Sequence, residues 1–279
     1  MTEPLKLMCI LAHPDDETFG AGGILAKYAA EGVETSLLVA TLGQRGWTGD
    51  PEDYPGLQEM GDIRAEELRC SADVLGVKEL ILLDFVDGEL HKIEPQGIVP
   101  QIAGHLRRVR PQVVVTFDPF GLYGHPDHIA ISQFAMAAVV AAASPGLGGE
   151  DHLPPHTVSK LYFVAESEQR IRTFETVTGE IAMSIDDEER KAVRWPSWSI
   201  SAEIDATAYW DRVIEAFRCH KSQVNDPDAI ASLRERFEPA GWGINTYYRA
   251  FSLVNTGRAK EKDLFEGLRP QGVHVAVGT

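Results

Sequence analysis

One short segment, His13-Pro14-Asp15-Asp16-Glu17, holds an imidazole and three carboxylates directly after the apolar run Leu5-Lys6-Leu7-Met8-Cys9-Ile10-Leu11-Ala12. A second cluster, Tyr123-Gly124-His125-Pro126-Asp127-His128, follows another strand-like run, Gln112-Val113-Val114-Val115-Thr116-Phe117. With both runs as strands of one open α/β sheet, each cluster can end in the crevice beyond the carboxyl ends, where such sheets bind ligands. Two His/Asp clusters placed there suggest a metal site. A catalytic zinc commonly has three protein ligands and an open position for water, and two His with one carboxylate is a recurrent set. A His and an Asp three positions on can both turn inward as the chain leaves a strand, so the second cluster need supply only one more His. The metal in such a site lowers the pKa of its water toward about 7 and polarises a substrate carbonyl. The His and Asp side chains left over are then candidates for proton transfer.

Each residue also has a plainer reading. A lone His-Pro-Asp is commonly a turn whose Asp accepts from free N–H groups at a helix start, and Asp15 or Asp16 could cap a helix beginning near Thr18. It is the repetition of the cluster, each time after a strand, that favours a metal. Arg64 by itself reads as a solvated helix residue near Glu67, Asp87 as a turn residue before Gly88, and His220 as a charge at a helix C-terminus. Gly20-Ala21-Gly22-Gly23 does not read as a dinucleotide fingerprint, which needs three glycines at set spacing in the strand-to-helix turn. That turn is occupied here by His-Pro-Asp-Asp-Glu, whose carboxylates would repel a pyrophosphate. Close packing of a helix on the sheet explains the small residues better.

Together the two clusters resemble the PIG-L/LmbE family of metal-dependent N-deacetylases, which includes N-acetylglucosaminyl-phosphatidylinositol, mycothiol-pathway and bacillithiol-pathway deacetylases. Thr18-Phe19-Gly20-Ala21-Gly22-Gly23 is similar to the family's opening helix, and Arg64-Ala65-Glu66-Glu67 through Leu75-Gly76-Val77 to its second. Asp87-Gly88-Glu89-Leu90 and His220-Lys221-Ser222-Gln223 match later positions, so the likeness covers most of residues 5 to 225. The resemblance implies that His13, Asp16 and His128 bind Zn2+, with Fe2+ as the other candidate, and that Asp15 is the general base. It further implies that His125 stabilises the oxyanion or donates a proton, that Asp127 orients His125, that Tyr123 assists the oxyanion, and that Arg64 and Asp87 contact the sugar. Where the family often carries a C-terminal glutamate the chain reads Gly243-Ile244-Asn245-Thr246-Tyr247, and no role is assigned there. The activity implied is removal of an N-acetyl group from an N-acetylglucosamine-type conjugate by attack of metal-activated water. Amide hydrolysis on a thiol-sugar S-conjugate or a non-sugar amide is the nearest alternative. A non-haem Fe(II) oxygenase would use the same two-His, one-carboxylate set but has no need of a base such as Asp15. A metal-dependent sugar-binding protein without chemistry would have no use for Asp15 and His125.

The positioning elements alternate. Strands are expected over 5–12, 35–41, 79–83 and 112–117, and helices over 18–30, 62–75, 95–109 and from about 128 to 143, with a polar loop over 42–61. Such alternation implies an α/β fold, a Rossmann-like doubly wound, mostly parallel sheet. Later strands are expected at 158–165, 181–185, 199–204 and 247–254, with a charged stretch over 186–194, a helix over 209–222 and a docked or loose tail after 259. The 279 residues are thus read as a single domain, an α/β core to about 143 followed by a substrate-mouth region and C-terminal elaboration. Loops 43–61 and 144–198 are expected to shape the mouth, because loops on a rigid scaffold carry specificity. A formal net charge of −16 argues against nucleic acid and anionic membranes, which need basic patches, and leaves a small-molecule amino sugar as the expected partner. Cys9, Cys70 and Cys219 lie far apart and read as buried free thiols in a reducing compartment. With no secretory signal pattern and no apolar run of about 18 residues, membrane insertion is not expected and a cytoplasmic location is. Trp195 and Trp198, taken as exposed, would suit a homo-oligomer interface or a substrate platform.

Overall fold

In the computed structural model, which describes residues 4–146, 153–180, 182–185, 188–223 and 243–269, the apolar runs become the middle of one sheet. β1 (Lys6–Leu11), β2 (Glu34–Thr41), β3 (Glu79–Phe85), β4 (Val113–Phe117) and β5 (Lys160–Val164) are parallel. β8 (Ala202–Asp205) and β9 (Ile244–Ser252) complete seven strands in the order β3-β2-β1-β4-β5-β9-β8, with β9 antiparallel to β5 and β8 antiparallel to β9. β1, β4 and β5 are buried almost throughout, as continuous Val/Ile/Leu-rich strands must be when helices cover both faces. On one side α1 (Gly22–Ala30), α2 (Leu57–Leu75) and α7 (Trp210–Cys219) pack together; on the other, α3 (Pro95–Val109) packs on α5 (Pro126–Ala143). The strand order reverses between β1 and β4, so a crevice opens beyond their carboxyl ends.

The small residues of the first helical segment do allow close packing. A Cβ on Gly20 would meet Val164 of β5 at 3.4 Å, and one on Gly23 would stand 2.2 Å from Asn245 Oδ1 of β9. α2 starts at Leu57, five residues before the expected start: no side chain caps it, Gly56 enters at φ 97°, and Met60, fully buried, anchors the first turn. A helix stands where irregular chain was expected: α6 (Glu168–Thr178) is capped by Ser167, which accepts from Arg170 N at 3.3 Å, and buries Ile171 and Phe174. Within the charged stretch, β7 (Glu188–Lys191) pairs antiparallel with β6 (Ala182–Ile185). β9 begins three residues early because its first residues pair with β8.

Three further expectations are corrected. Cys70 on α2 and Cys219 on α7 are joined in a disulfide with Cα atoms 5.7 Å apart; only Cys9 is a free, buried thiol. α5 is 18 residues with mean hydropathy 1.2, long and apolar enough by composition to cross a membrane; 61% of it is buried inside the protein, as a helix between sheet and α3 is. Trp195 is half-buried, its Nε1 donating to Asp118 Oδ2 at 2.6 Å and its ring 5.0 Å from Tyr248, whereas Trp198 is 86% exposed.

The described part of the tail is docked, while 270–279 lie outside the described residues. Leu264 and Phe265 are fully buried, and Glu261 accepts from Lys160 Nζ at 2.7 Å, Arg249 Nη1 at 2.8 Å, Thr256 Oγ1 at 2.8 Å and Tyr162 Oη. Burial pushes the Glu261 carboxyl up, but these donors outweigh it and hold the group below the usual carboxylate range. Its stabilisation is therefore present above the unfolded pKa of about 4.3 and is lost as the pH falls through the lower folded value. Replacing Glu261 by Ala strands the buried Lys160 charge and should lower stability by about 3–5 kcal/mol, read from the urea midpoint at neutral pH. A loss under about 1 kcal/mol would be surface ion-pair behaviour.

Candidate metal centre

Pairing of β1 with β4 brings the two clusters together. His13 Nδ1 and His128 Nε2 stand 3.3 Å apart, Asp16 Oδ2 is 3.5 Å from His13 Nδ1, and Asp16 Oδ1 is 3.2 Å from His128 Nε2. All three side chains are buried. Ligands at about 2.0–2.1 Å from a tetrahedral zinc are separated by about 3.3 Å, so this donor set fits such an ion. His125 lies beside it; donor atoms of His13, His125 and His128 fall within 4.8 Å of one another.

Each of these side chains is oriented from outside the triangle. His13 Nε2 meets Asp87 Oδ1 at 3.1 Å and Asp127 Oδ2 at 3.2 Å; with the proton on Nε2, the Nδ1 lone pair turns inward, as ligating histidines require. Burial pushes the His13 imidazole down, but the carboxylates of Asp127, Asp16 and Asp87 outweigh it and raise its pKa well above the usual value. Asp16 Oδ2 accepts from the N–H groups of His13 (2.7 Å) and Ala12 (3.2 Å). Burial opposes its charge, yet His128 and His13 keep its pKa well below the usual carboxylate range. The His128 ring stacks on Phe117 at 3.9 Å.

The Asp127 carboxylate binds His13, not His125. It also accepts from Gly88 N at 2.6 Å and Leu90 N at 3.0 Å, fastening the loop after β3. It is the Asp127 backbone N–H that donates to His125 Nδ1, at 3.1 Å. Neutral His125 therefore carries its proton on Nε2; burial and the neighbouring His13 and His128 charges lower its pKa to about 4.

Asp15 sits at φ 101°, a conformation L-residues rarely adopt. Its N–H donates to Glu17 Oε2 at 2.9 Å, its carbonyl accepts from Thr18 Oγ1 at 2.6 Å, and its carboxylate meets Arg64 Nη2 at 3.1 Å. Burial pushes the Asp15 carboxyl up to about 7 against the pull of Arg64. Arg64 is itself buried, donating to the carbonyls of Gly43 (2.8 Å) and Pro14. A Cβ at Gly43 or Gly46 would stand 2.2 Å from its Nη1. Arg64 thus grips the motif loop from behind. Asp87, drawn down to about 2 by His13 in spite of its burial, accepts from Arg45 N at 3.1 Å.

Two groups without an assigned role proved structural. Glu17, fully buried, accepts from Ser71 Oγ at 2.5 Å and faces His220 Nε2 at 2.6 Å; Ser71 and His220 each adjoin a disulfide cysteine. Asp118 accepts from the N–H groups of Phe120 (3.1 Å) and Leu122 (2.9 Å), shaping the turn α4 (Gly121–Gly124), where Leu122 adopts φ 63° and Tyr123 faces the His128 ring at 5.3 Å. Their signal was position alone: Glu17 inside the first motif, Asp118 directly after a strand. A cavity of about 350 Å3 opens beside the centre, with Asp15, Asp16, Tyr123 and His128 at one end.

An α/β fold with this centre at its switch point is what a family of metal-dependent deacetylases would require, and sequence comparison agrees. The profile of the GlcNAc-PI de-N-acetylase family, PIG-L, matches residues 8–139. A 1D-myo-inositol 2-acetamido-2-deoxy-alpha-D-glucopyranoside deacetylase of Streptomyces griseus is 33% identical over 95% of this chain and 89% of its own. The chain belongs to the PIG-L family. A conserved protein of Thermus thermophilus is similar in structure (TM-score 0.62, 26% identity, 90% of this chain and 97% of its own). The N,N'-diacetylchitobiose deacetylase of Pyrococcus horikoshii shares the fold (TM-score 0.65, 23% identity, 88% of this chain and 83% of its own).

The burial of Arg64 changes what its removal should do. Arg64→Ala should lower kcat about 10- to 100-fold, the equivalent of a charged hydrogen bond of about 1.5–3 kcal/mol, with KM and bound metal little changed. A rise in KM at constant kcat would instead mark a direct sugar contact.

Proposed function

We propose that the chain is a metal-dependent deacetylase that hydrolyses the acetamide of an N-acetylglucosamine-type conjugate. The observation that carries this reading is the inward-facing triangle of His13, Asp16 and His128 with the Asp15 carboxylate beside it at the end of a cavity. His13, Asp16 and His128 would hold Zn2+, the ion their donor spacing suits, with Fe2+ as the other candidate. Such an ion supplies Lewis acidity toward the amide carbonyl and makes a water acidic enough to deprotonate near neutral pH.

Asp15 acts as general base, taking the proton of the attacking water. Its backbone is locked by Glu17 and Thr18 and its carboxylate steered by Arg64, so little reorganisation is needed when the proton moves. His125 presents Nε2–H to the oxygen that becomes negative as the carbonyl carbon turns tetrahedral; with Nδ1 already accepting a backbone N–H, it is a donor to the oxyanion and not a proton shuttle. The Tyr123 hydroxyl, whose pKa burial pushes up, stays protonated and adds a second donor. Protonated Asp15 then returns its proton to the departing amine, giving acetate and the free amino sugar. Asp127 keeps the His13 tautomer, and Asp87 shares that task. The chain's partner is a small-molecule amino sugar.

Acetate release from a panel of N-acetylglucosamine conjugates with added Zn2+ tests the reading; cleavage of non-sugar amides alone would leave a metal amidase of another specificity. His13→Ala, Asp16→Ala and His128→Ala should each fold and lose stoichiometric metal, and metal retained in His128→Ala would remove that residue from the centre. Asp15→Asn should keep the metal while kcat falls by about 10²–10⁴-fold; near-normal turnover would exclude it as the base.

A further inference from the structure

Away from the metal centre the cavity changes character. Its walls are Phe19, Ile171, Phe174, Val193, Trp210 and Val213, drawn from the helical turn that follows the first motif, from α6, from the segment after β7 and from α7. Ile171, Phe174, Trp210 and Val213 are buried, whereas Phe19, braced edge-on against Phe217 at 4.6 Å, is 67% exposed at the rim. The polar groups at this end are engaged with one another. Glu166 accepts from Arg170 Nε at 2.7 Å and Thr246 Oγ1 at 3.0 Å, and the Arg170 guanidinium lies 5.0 Å above the Phe174 ring. Away from the metal ligands, Asn245 Oδ1 is the one lining side-chain atom that is fully buried without a hydrogen-bond partner among the described residues.

We propose that this part of the cavity seats an apolar alkyl or aryl group carried by the substrate. The natural substrate is then an amphiphilic amide, sugar at the metal centre and hydrocarbon against α6 and α7. The inference rests on the reading of the chain as an amide hydrolase and adds its substrate class. The cavity as a whole, metal end included, measures about 350 Å3, far more than the single methyl of an acetyl group needs and in the range of pockets built for whole ligands. A polyol ring placed there would face walls that are mostly hydrocarbon, so most of its hydroxyls would lose their water without gaining partners. An alkyl or aryl group loses nothing of that kind and covers Phe19, the exposed aromatic at the rim.

Two substrate series distinguish which side of the amide bears the group. One lengthens the acyl chain on glucosamine from acetyl through butyryl to hexanoyl; the other lengthens the glycosidic substituent of N-acetylglucosamine from methyl through butyl to octyl. In one series kcat/KM should rise about threefold to fourfold per added methylene until the cavity is full. Phe19→Asn, a change at an exposed side chain, should flatten that rise while leaving the methyl glycoside of N-acetylglucosamine hydrolysed at its original rate. Two flat series, with that methyl glycoside still cleaved, would overturn the inference and leave the deacetylase reading standing. If no amide in either series is cleaved, octyl glucoside, which has no amide, decides by calorimetry. Binding with a negative heat-capacity change, absent for methyl glucoside and weakened in Phe19→Asn, upholds the cavity's role; no binding overturns it.

Discussion

The parallel pairing of β1 with β4 is the constraint on which the rest of this structure depends. These strands are neighbours, Leu7 opposite Val113 and Cys9 opposite Val115, yet the chain leaves them for helices on opposite faces. Two peptide segments therefore turn away from each other at one point, and their side chains converge in the space between. Residues 115 positions apart arrive 3.3 Å apart as a result. A slip of one residue in this register would turn every side chain of the strand to the other face. The fully buried Val and Leu side chains on both strands hold the register.

Convergence alone would leave several carboxylates and imidazoles crowded in a dry interior. Further residues make that arrangement tolerable by giving each charge a partner. Asp127 is the most economical of these: one carboxylate sets the His13 tautomer and pins two N–H groups of the loop after β3. Arg64 and Glu17 act on Asp15 from opposite sides, one on its carboxylate and the other on its backbone amide, and so maintain a left-handed residue that would otherwise relax. The disulfide between α2 and α7 lies behind this assembly, next to Ser71 and His220, which complete the hydrogen bonding of Glu17.

The sequence was legible wherever local pattern and tertiary environment ask for the same residues. Apolar runs of five to eight residues followed by His-Pro-Asp are both strands and strand ends in a buried parallel sheet, so β1, β4 and the two clusters could be read together. The helix that became α6 was hidden because its apolar residues, Ile171, Phe174 and Val177, form a sparse stripe among polar neighbours. After Ile244, β9 continues with Asn245 and Thr246, whose polarity reflects a neighbouring cavity and a bond to Glu166 instead of a turn. Partnerships were the least legible. That Asp127 would serve His13, that Arg64 would face inward, and that Cys70 would find Cys219 all depend on distances between elements far apart in sequence. Composition and spacing carry no information about those distances.

The candidate metal ligands and the proposed general base all come from the first 128 residues, whereas most of the hydrocarbon wall comes from residues 171–213. The two halves of the cavity are thus encoded in consecutive, barely overlapping stretches of the gene. Drift or recombination in the later stretch can redraw what is recognised without disturbing how the bond is broken. A lineage built on this plan can diversify its chemistry's clientele by exchanging a single contiguous block, and so can a protein engineer.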